Sequence, residues 1–380
     1  DSNEQIPNDV RVIPGQQQPP SYPNGWIPIL ESRKLKRNEL KSLLCFGREL
    51  VIVRVPSDQV YIFDAYCPHL GANLAIGGTI EQRHISCRND NDNHQKIDCI
   101  VCPFHSWAFR VSDGNCVDVP YEDNVPNTKL KMWKCLEMNG IIFVWYHNDN
   151  SMVEPEWKPE KIAEIITGKW RYYGRTEHYT NCHIQEIPEN GADVAHLNQI
   201  HSTSVIGSSN RKDRQRWLNR LVKHEWTAQW NPCPAPNQHI SRVEMISITR
   251  IFGFKIIELR FIIRQIGPAY VEIHLKSDFF TGIEGVALQL VKPIRPMRNS
   301  IIHNFYFNHS IFSFIFSKIF MFSVDKMLIR DIEIWNRKAF LQRPFVGKSE
   351  KSLVKFRRWF KQFYSNDDNT NHGHVKHCDW

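Results

Sequence analysis

Two short strings constrain this chain more than anything else in it: Cys67-Pro68-His69 and Cys102-Pro103-Phe104-His105. Each gives one thiolate and one imidazole, in the order C-x-H and then C-x-x-H. A two-iron, two-sulfur centre with two thiolates on one iron and two neutral imidazoles on the other needs that donor set. Zinc also accepts two Cys and two His, but zinc fingers pair Cys with Cys and His with His. The alternating order fits the two-iron cluster. Four incidental residues would rarely fall in this order with a proline after each Cys. Gly71 and Ala72 are small enough to let backbone N–H groups approach the sulfurs.

Six of the ten cysteines lie between Cys67 and Cys135. That clustering reads as metal ligation in a reducing compartment rather than as cross-linking. At 380 residues the chain has room for two or three domains and needs no disulfides to hold a core. Its formal charge of +8 allows an anionic membrane surface or an acidic partner, and does not call for nucleic acid. The first residue is Asp1, so the chain reads as processed, truncated or a fragment, from which a targeting segment could have been removed. No apolar run reaches the ~18 residues of a spanning helix; the nearest, Ile311–Phe322, is too short and holds Lys318.

Residues 1–24 are rich in Pro and Gln and read as a flexible leader. Residues 25–150 carry short strand-like runs at 49–55, 59–66, 97–102 and 140–146, as in a small antiparallel β domain. Residues 151–345 mix types. Part of 185–202 is helical in pattern, strands are expected over 240–280 and 283–309, and one long helix or two over 311–340. The fold class is therefore α+β, with a sheet whose apolar face could enclose something large. In 346–380, Leu353, Phe356, Phe360 and Phe363 stand at helical spacing with basic residues between, ahead of a disordered tail. A helix packed on the body or on a neighbouring subunit is the expected role; docking on a membrane surface or a reductase is the other reading.

The second chemical constellation is the string 181–201, with His196 and His201 five apart. On a regular helix five residues turn about 500°, leaving the rings about 140° apart. They can share a metal only if the helix ends or bulges between them. Asp193, one turn before His196, can accept a hydrogen bond from an imidazole, as outer partners of metal ligands do. A non-haem Fe(II) that activates O2 needs two His and one carboxylate. Asp331 is the best third candidate, with Asp325 and Glu333 as alternatives.

On these strings the chain resembles the Rieske non-haem iron oxygenases, and among them the Neverland group of cholesterol 7-desaturases. The resemblance runs from Pro23 to Phe340, and its most specific part is CHIQEIPENGADVAHLNQIH (182–201). It implies an all-β Rieske [2Fe-2S] domain ligated by Cys67, His69, Cys102 and His105. A helix-grip, START-like catalytic domain follows, with Fe(II) held by His196, His201 and Asp331. It implies that Asp193 links the two metal sites, and that the protein is a head-to-tail homotrimer in which a cluster serves the iron of the next subunit. One departure is the 32 residues between His69 and Cys102, about twice the family's usual gap. The surplus at 83–96 is polar and is expected to be an exposed insertion. Another is the absence of the N-terminal membrane helix common in the group.

The activity implied is O2-dependent conversion of cholesterol to 7-dehydrocholesterol, with electrons from NAD(P)H through a separate reductase. The alternative is a Rieske hydroxylase of another steroid or lipid, because both reactions begin with the same hydrogen abstraction. A plain electron carrier would need only residues to about 147 and no second His/His/Asp set. The resemblance further implies a role in steroid biosynthesis, an intracellular location and association with a membrane, the endoplasmic reticulum first.

Overall fold

A computed structural model describes residues 19–86, 94–148, 153–202, 222–277, 282–341, 344–347 and 350–365. The chain folds as two units, residues 28–156 and a second made of the N-terminal 27 residues with 157–380.

The first unit is built from short strands: Gly25–Glu31 (β1), Glu39–Cys45 (β2), Arg48–Arg54 (β3), Val60–Asp64 (β4), Thr79–Ser86 (β5), His94–Val101 (β6), Ala108–Arg110 (β7), Cys116–Asp118 (β8), Met132–Trp133 (β9), Cys135–Met138 (β10) and Ile141–Tyr146 (β11). They form sheets β2-β3-β4-β9, β5-β6-β7-β8 and β1-β11-β10. Val51, Val53, Phe63, Ile100 and Phe109 fill the space between the first two sheets, and Cys67 and Cys102 sit in that same core. β5 and β6 pair along their whole length, from Thr79 with Val101 to Ser86 with His94. Both ends of the expected insertion therefore belong to a lengthened hairpin rather than to a loop; residues 87–93, with Cys87, lie outside the described residues.

The second unit is an antiparallel sheet gripping a helix, as the α+β expectation required. Its strands are Trp170–Thr180 (β12), Val222–Pro232 (β13), Ile240–Ile251 (β14), Phe254–Ile266 (β15), Tyr270–Ser277 (β16), Ile283–Arg295 (β17) and Arg298–Asn308 (β18). The order is β12-β18-β17-β16-β15-β14-β13. The helix Ile311–Trp335 is capped by the Ser310 hydroxyl, which accepts from the Ser313 N–H at 2.9 Å. It drives Phe316 and Phe320 against Phe261, Phe305 and Phe307 of the sheet.

The C-terminal helix Lys351–Phe360 buries Phe356, Trp359 and Phe360 against Trp230 and Val243, so its apolar face is spent on the body of the protein. Pro20 and Asn24, inside the expected leader, hydrogen-bond to His183, Phe363 and Ser365.

Candidate metal sites

In the first unit two loops are built alike, one after β4 and one after β6. The Cys67 N–H donates to the Ala72 carbonyl at 2.9 Å, and the Gly71 N–H returns to the Cys67 carbonyl at 2.9 Å. The second loop repeats this: Cys102 N–H to Trp107 carbonyl at 2.9 Å, Ser106 N–H to Cys102 carbonyl at 3.1 Å. The fifth residue of each loop takes a left-handed backbone, Gly71 at φ 74° and Ser106 at φ 58°. Glycine does this freely, whereas serine gives up about 1–2 kcal/mol. Strain of that kind is usually kept where a site needs it.

The loops bring the four donors to one tip. The His69 and His105 rings stand 4.8 Å apart, and Trp107 stacks on His69 at 4.4 Å and 6°. Tyr121 accepts the Trp107 indole N–H at 2.7 Å and so fixes that plate. Cys67 and Cys102 are buried in the same core and neither is in a disulfide. Burial pushes the Cys67 thiol up to about 11, against the His69 backbone hydrogen bond that works the other way. Without a cation the Cys67 sulfur holds its proton. His105 Nδ1 is buried with no hydrogen-bond partner among the described residues. Two thiols and a bare imidazole nitrogen at one tip fit a [2Fe-2S] cluster, whose charge would ionise the thiols. Cys99 belongs to a separate cluster with Val101 and Ala108 and does not join Cys102.

In the second unit the sequence puzzle of two histidines five apart has a direct answer. The helix Val194–Ile200 stops, and His201 caps it at φ −107°, ψ 11°. The two imidazoles therefore meet at 5.4 Å and 85°. Asp331, from the long helix, completes the group: donor atoms of His196, His201 and Asp331 lie within 4.8 Å of one another. The Asp331 carboxylate accepts from His201 Nε2 at 3.1 Å, while His201 Nδ1 is buried and has no hydrogen-bond partner among the described residues. Of the alternatives, Asp325 is taken by His178 Nε2 at 2.7 Å and Glu333 is exposed.

Burial pushes the His196 imidazole below its ordinary value, against the nearby Asp331 carboxylate, which raises it. A neutral ring is the form that binds a metal. Asp193 does not bond the His196 ring with its carboxylate, as the sequence had led one to expect. Its Oδ1 caps the helix by accepting the His196 backbone N–H at 3.1 Å, and its carbonyl meets His196 Nδ1. The carbonyl thus aims the ring, leaving Nε2 for a metal. Asn198 holds the helix on β13 with two bonds to the Trp226 backbone, at 2.9 and 3.0 Å, and the Trp226 indole N–H reaches the His201 carbonyl at 3.3 Å. Two imidazoles, one with a nitrogen left unbonded among the described residues, and one carboxylate fit a divalent iron.

A cavity of about 750 Å³ opens on these three residues. Its walls are mainly apolar, from Met245, Leu259, Phe261, Phe316 and Phe320 among others. That volume falls in the ~300–1,000 Å³ range of small-molecule sites. Sequence reasoning singled out His196, His201 and Asp331 as candidate ligands but not the polar cavity side chains His224, Thr249, Gln289 and His303. They come from positions on several strands, and only the sheet register brings them to one face.

Residues 25–129 match the Rieske [2Fe-2S] domain model, and residues 144–364 match the model for the 3-ketosteroid 9alpha-hydroxylase C-terminal domain. Over 352 residues the chain is 39% identical to cholesterol 7-desaturase nvd of Xenopus laevis, covering 92% of this chain and 73% of that protein. The corresponding protein of Drosophila melanogaster is 41% identical, with 92% and 76% covered. The crystal structure of dicamba monooxygenase bound to 3,6-dichlorosalicylic acid superposes with a TM-score of 0.61, covering 91% of this chain and 98% of that one. Its identity is 14%, so it speaks for the fold alone.

Proposed function

The chain belongs to the cholesterol 7-desaturase family of Rieske oxygenases, and on that premise we propose that it removes one hydrogen each from C7 and C8 of cholesterol to give 7-dehydrocholesterol. The balance is cholesterol plus O2, two electrons and two protons giving 7-dehydrocholesterol and two waters. The electrons come from NAD(P)H through a reductase. When bound, the [2Fe-2S] cluster supplies one-electron transfer and the mononuclear iron supplies O2 activation.

In the proposed assignment Cys67, His69, Cys102 and His105 hold the cluster, and His196, His201 and Asp331 hold the mononuclear iron. The observation that carries the reading is the large, mainly apolar cavity with those last three residues in its wall. Its aliphatic and aromatic sides suit a rigid hydrocarbon and keep water from the reacting carbon. Asn198 and Trp226 hold the two histidines in place, so the ligands need not reorganise during the reaction.

Incubation with cholesterol, reductase and NAD(P)H, followed by mass spectrometry, tests this. The expected product is lighter than cholesterol by two hydrogens. A product heavier by one oxygen would favour the second reading, a steroid hydroxylase, which the match to the 3-ketosteroid 9alpha-hydroxylase C-terminal domain supports.

The proposal extends to a head-to-tail trimer in which Asp193 links His105 of one subunit to His196 of the next. The half-buried Asp193 side chain and the exposed Leu70 and Phe104 beside the cluster loops favour it. It also extends to an intracellular membrane surface, that of the endoplasmic reticulum. No helix among the described residues is long and apolar enough to cross a membrane. The long helix, however, leaves Ile311, Phe312, Phe314, Ile315 and Ile319 exposed, three of them at the cavity edge, with Lys318 and Lys326 over Phe314 and Phe322. Flotation with anionic vesicles checks this: Ile311→Ser with Phe314→Ser should release the protein.

A further inference from the structure

Deep in the cavity wall one polar chain interrupts the hydrocarbon surface. Gln289 on β17 and His303 on β18 face each other directly in register. His303 is 3% exposed, and its Nε2 stands 3.0 Å from the Gln289 carboxamide oxygen. That oxygen can only accept, so Nε2 carries the proton. Burial pushes the His303 ring down to about 3, so it stays neutral and Nδ1 is bare. The Thr176 hydroxyl, 3.5 Å from Nδ1, is the donor on that side. Every proton in the chain is thereby placed, and what remains is the Gln289 NH2 group. It makes no hydrogen bond among the described residues, and Gln289 lines the cavity.

A fixed amide donor in an apolar pocket is costly unless a ligand satisfies it. A sterol carries one polar group, its hydroxyl, in a body that otherwise suits these walls. We propose that Gln289, oriented by His303 and Thr176, is the hydroxyl-binding point that sets how a sterol lies in the cavity. The second polar pair, His224 and Thr249 at 3.0 Å, is half-buried at the strand ends, where water competes with a ligand. Gln289 is thus a specificity residue, and His303 and Thr176 are positioning residues that act through it. The inference rests on the sterol reading above.

The test is equilibrium binding of cholesterol and of cholest-5-ene, the same skeleton without the hydroxyl, to the holoenzyme. Wild type should prefer cholesterol by on the order of tenfold or more, because losing the hydroxyl leaves the amide unpaired. Gln289→Leu should bring the two ligands to within about twofold. It also strands the His303 Nε2–H, so a double variant, Gln289→Leu with His303→Leu, removes both polar ends and should likewise lose the preference. Because the readout is a ratio within one variant, partial loss of folded protein cancels. A wild-type ratio near one, or a preference retained in both variants, would overturn the proposal. So would loss of the preference in His224→Phe with Gln289→Leu unaffected. Binding of both sterols without discrimination sinks this inference alone; binding of neither sinks the sterol reading with it.

Discussion

Replacing Asp193 by Asn separates two jobs that one carboxylate can do. In the structure Asp193 Oδ1 caps the helix that ends at His201, and it does so through the His196 N–H at 3.1 Å. Asn caps helices as well as Asp does, so Asp193→Asn should keep the fold and the position of His196. Asp193→Ala removes the cap and costs about 1 kcal/mol, or roughly 2–4 °C in melting temperature for a unit of this size. The charge is a separate matter. If the carboxylate bridges imidazoles of two subunits, removing it while keeping the shape should slow turnover on the order of 10–100-fold, the usual effect of losing an outer partner of a metal ligand. The assay is a set of three readings per variant: iron per chain, cluster absorbance, and sterol turnover. The expected pattern for Asp193→Asn is unchanged iron, unchanged absorbance, unchanged melting and collapsed turnover. Wild-type turnover in Asp193→Asn would remove the bridging role and leave the residue as a cap alone.

Asp331→Ala should lose the mononuclear iron and keep the cluster's colour, whereas Asp325→Ala should keep both, since Asp325 is engaged with His178; metal analysis of the two proteins decides. Cys99→Ser should leave the cluster's visible absorbance intact, because Cys99 packs with Val101 and Ala108 away from the ligand pair; bleaching would reassign the ligands. Stability of the second unit should decline as pH falls from about 6.5 toward 4. Burial pushes His183 down to about 4 and His303 to about 3, so the unfolded chain takes up protons that the folded one refuses. Denaturant titrations at pH 7.5 and 5 should show this fall, and His303→Phe should make it shallower.

The candidate cluster loops were legible because each donor pair is local: a Cys, a Pro and a His within four residues need no tertiary information. His196 and His201 were legible only as a condition. Their spacing demands a helix end, and it takes the structure to put His201 at the cap. Asp331 and Asp325 could not be separated by periodicity, because the choice depends on which face of the long helix meets α-helix-borne His196, and Asp325 has its own partner on β12. β12 and β13 went unseen, since their charged and aromatic residues carry no clean alternation: Trp170–Thr180 holds Arg171, Arg175, Glu177 and His178 within eleven residues. The C-terminal helix was legible as amphipathic, but the sequence does not say that Trp230 and Val243 cover its apolar face. The Gln289–His303 pair is a cross-strand contact set by the β17–β18 register, so nothing local announces it.

Desaturation can be read in a single turnover, which needs no reductase and no knowledge of the native partner. Protein loaded with both metals is reduced chemically, stripped of excess reductant, mixed with cholesterol and exposed to O2. One electron from the cluster and one from the mononuclear iron are enough for one product. The expected yield is up to one 7-dehydrocholesterol per loaded chain, and none from Asp331→Ala or His196→Ala. Fully loaded, reduced wild-type protein that re-oxidises without converting any cholesterol would contradict it.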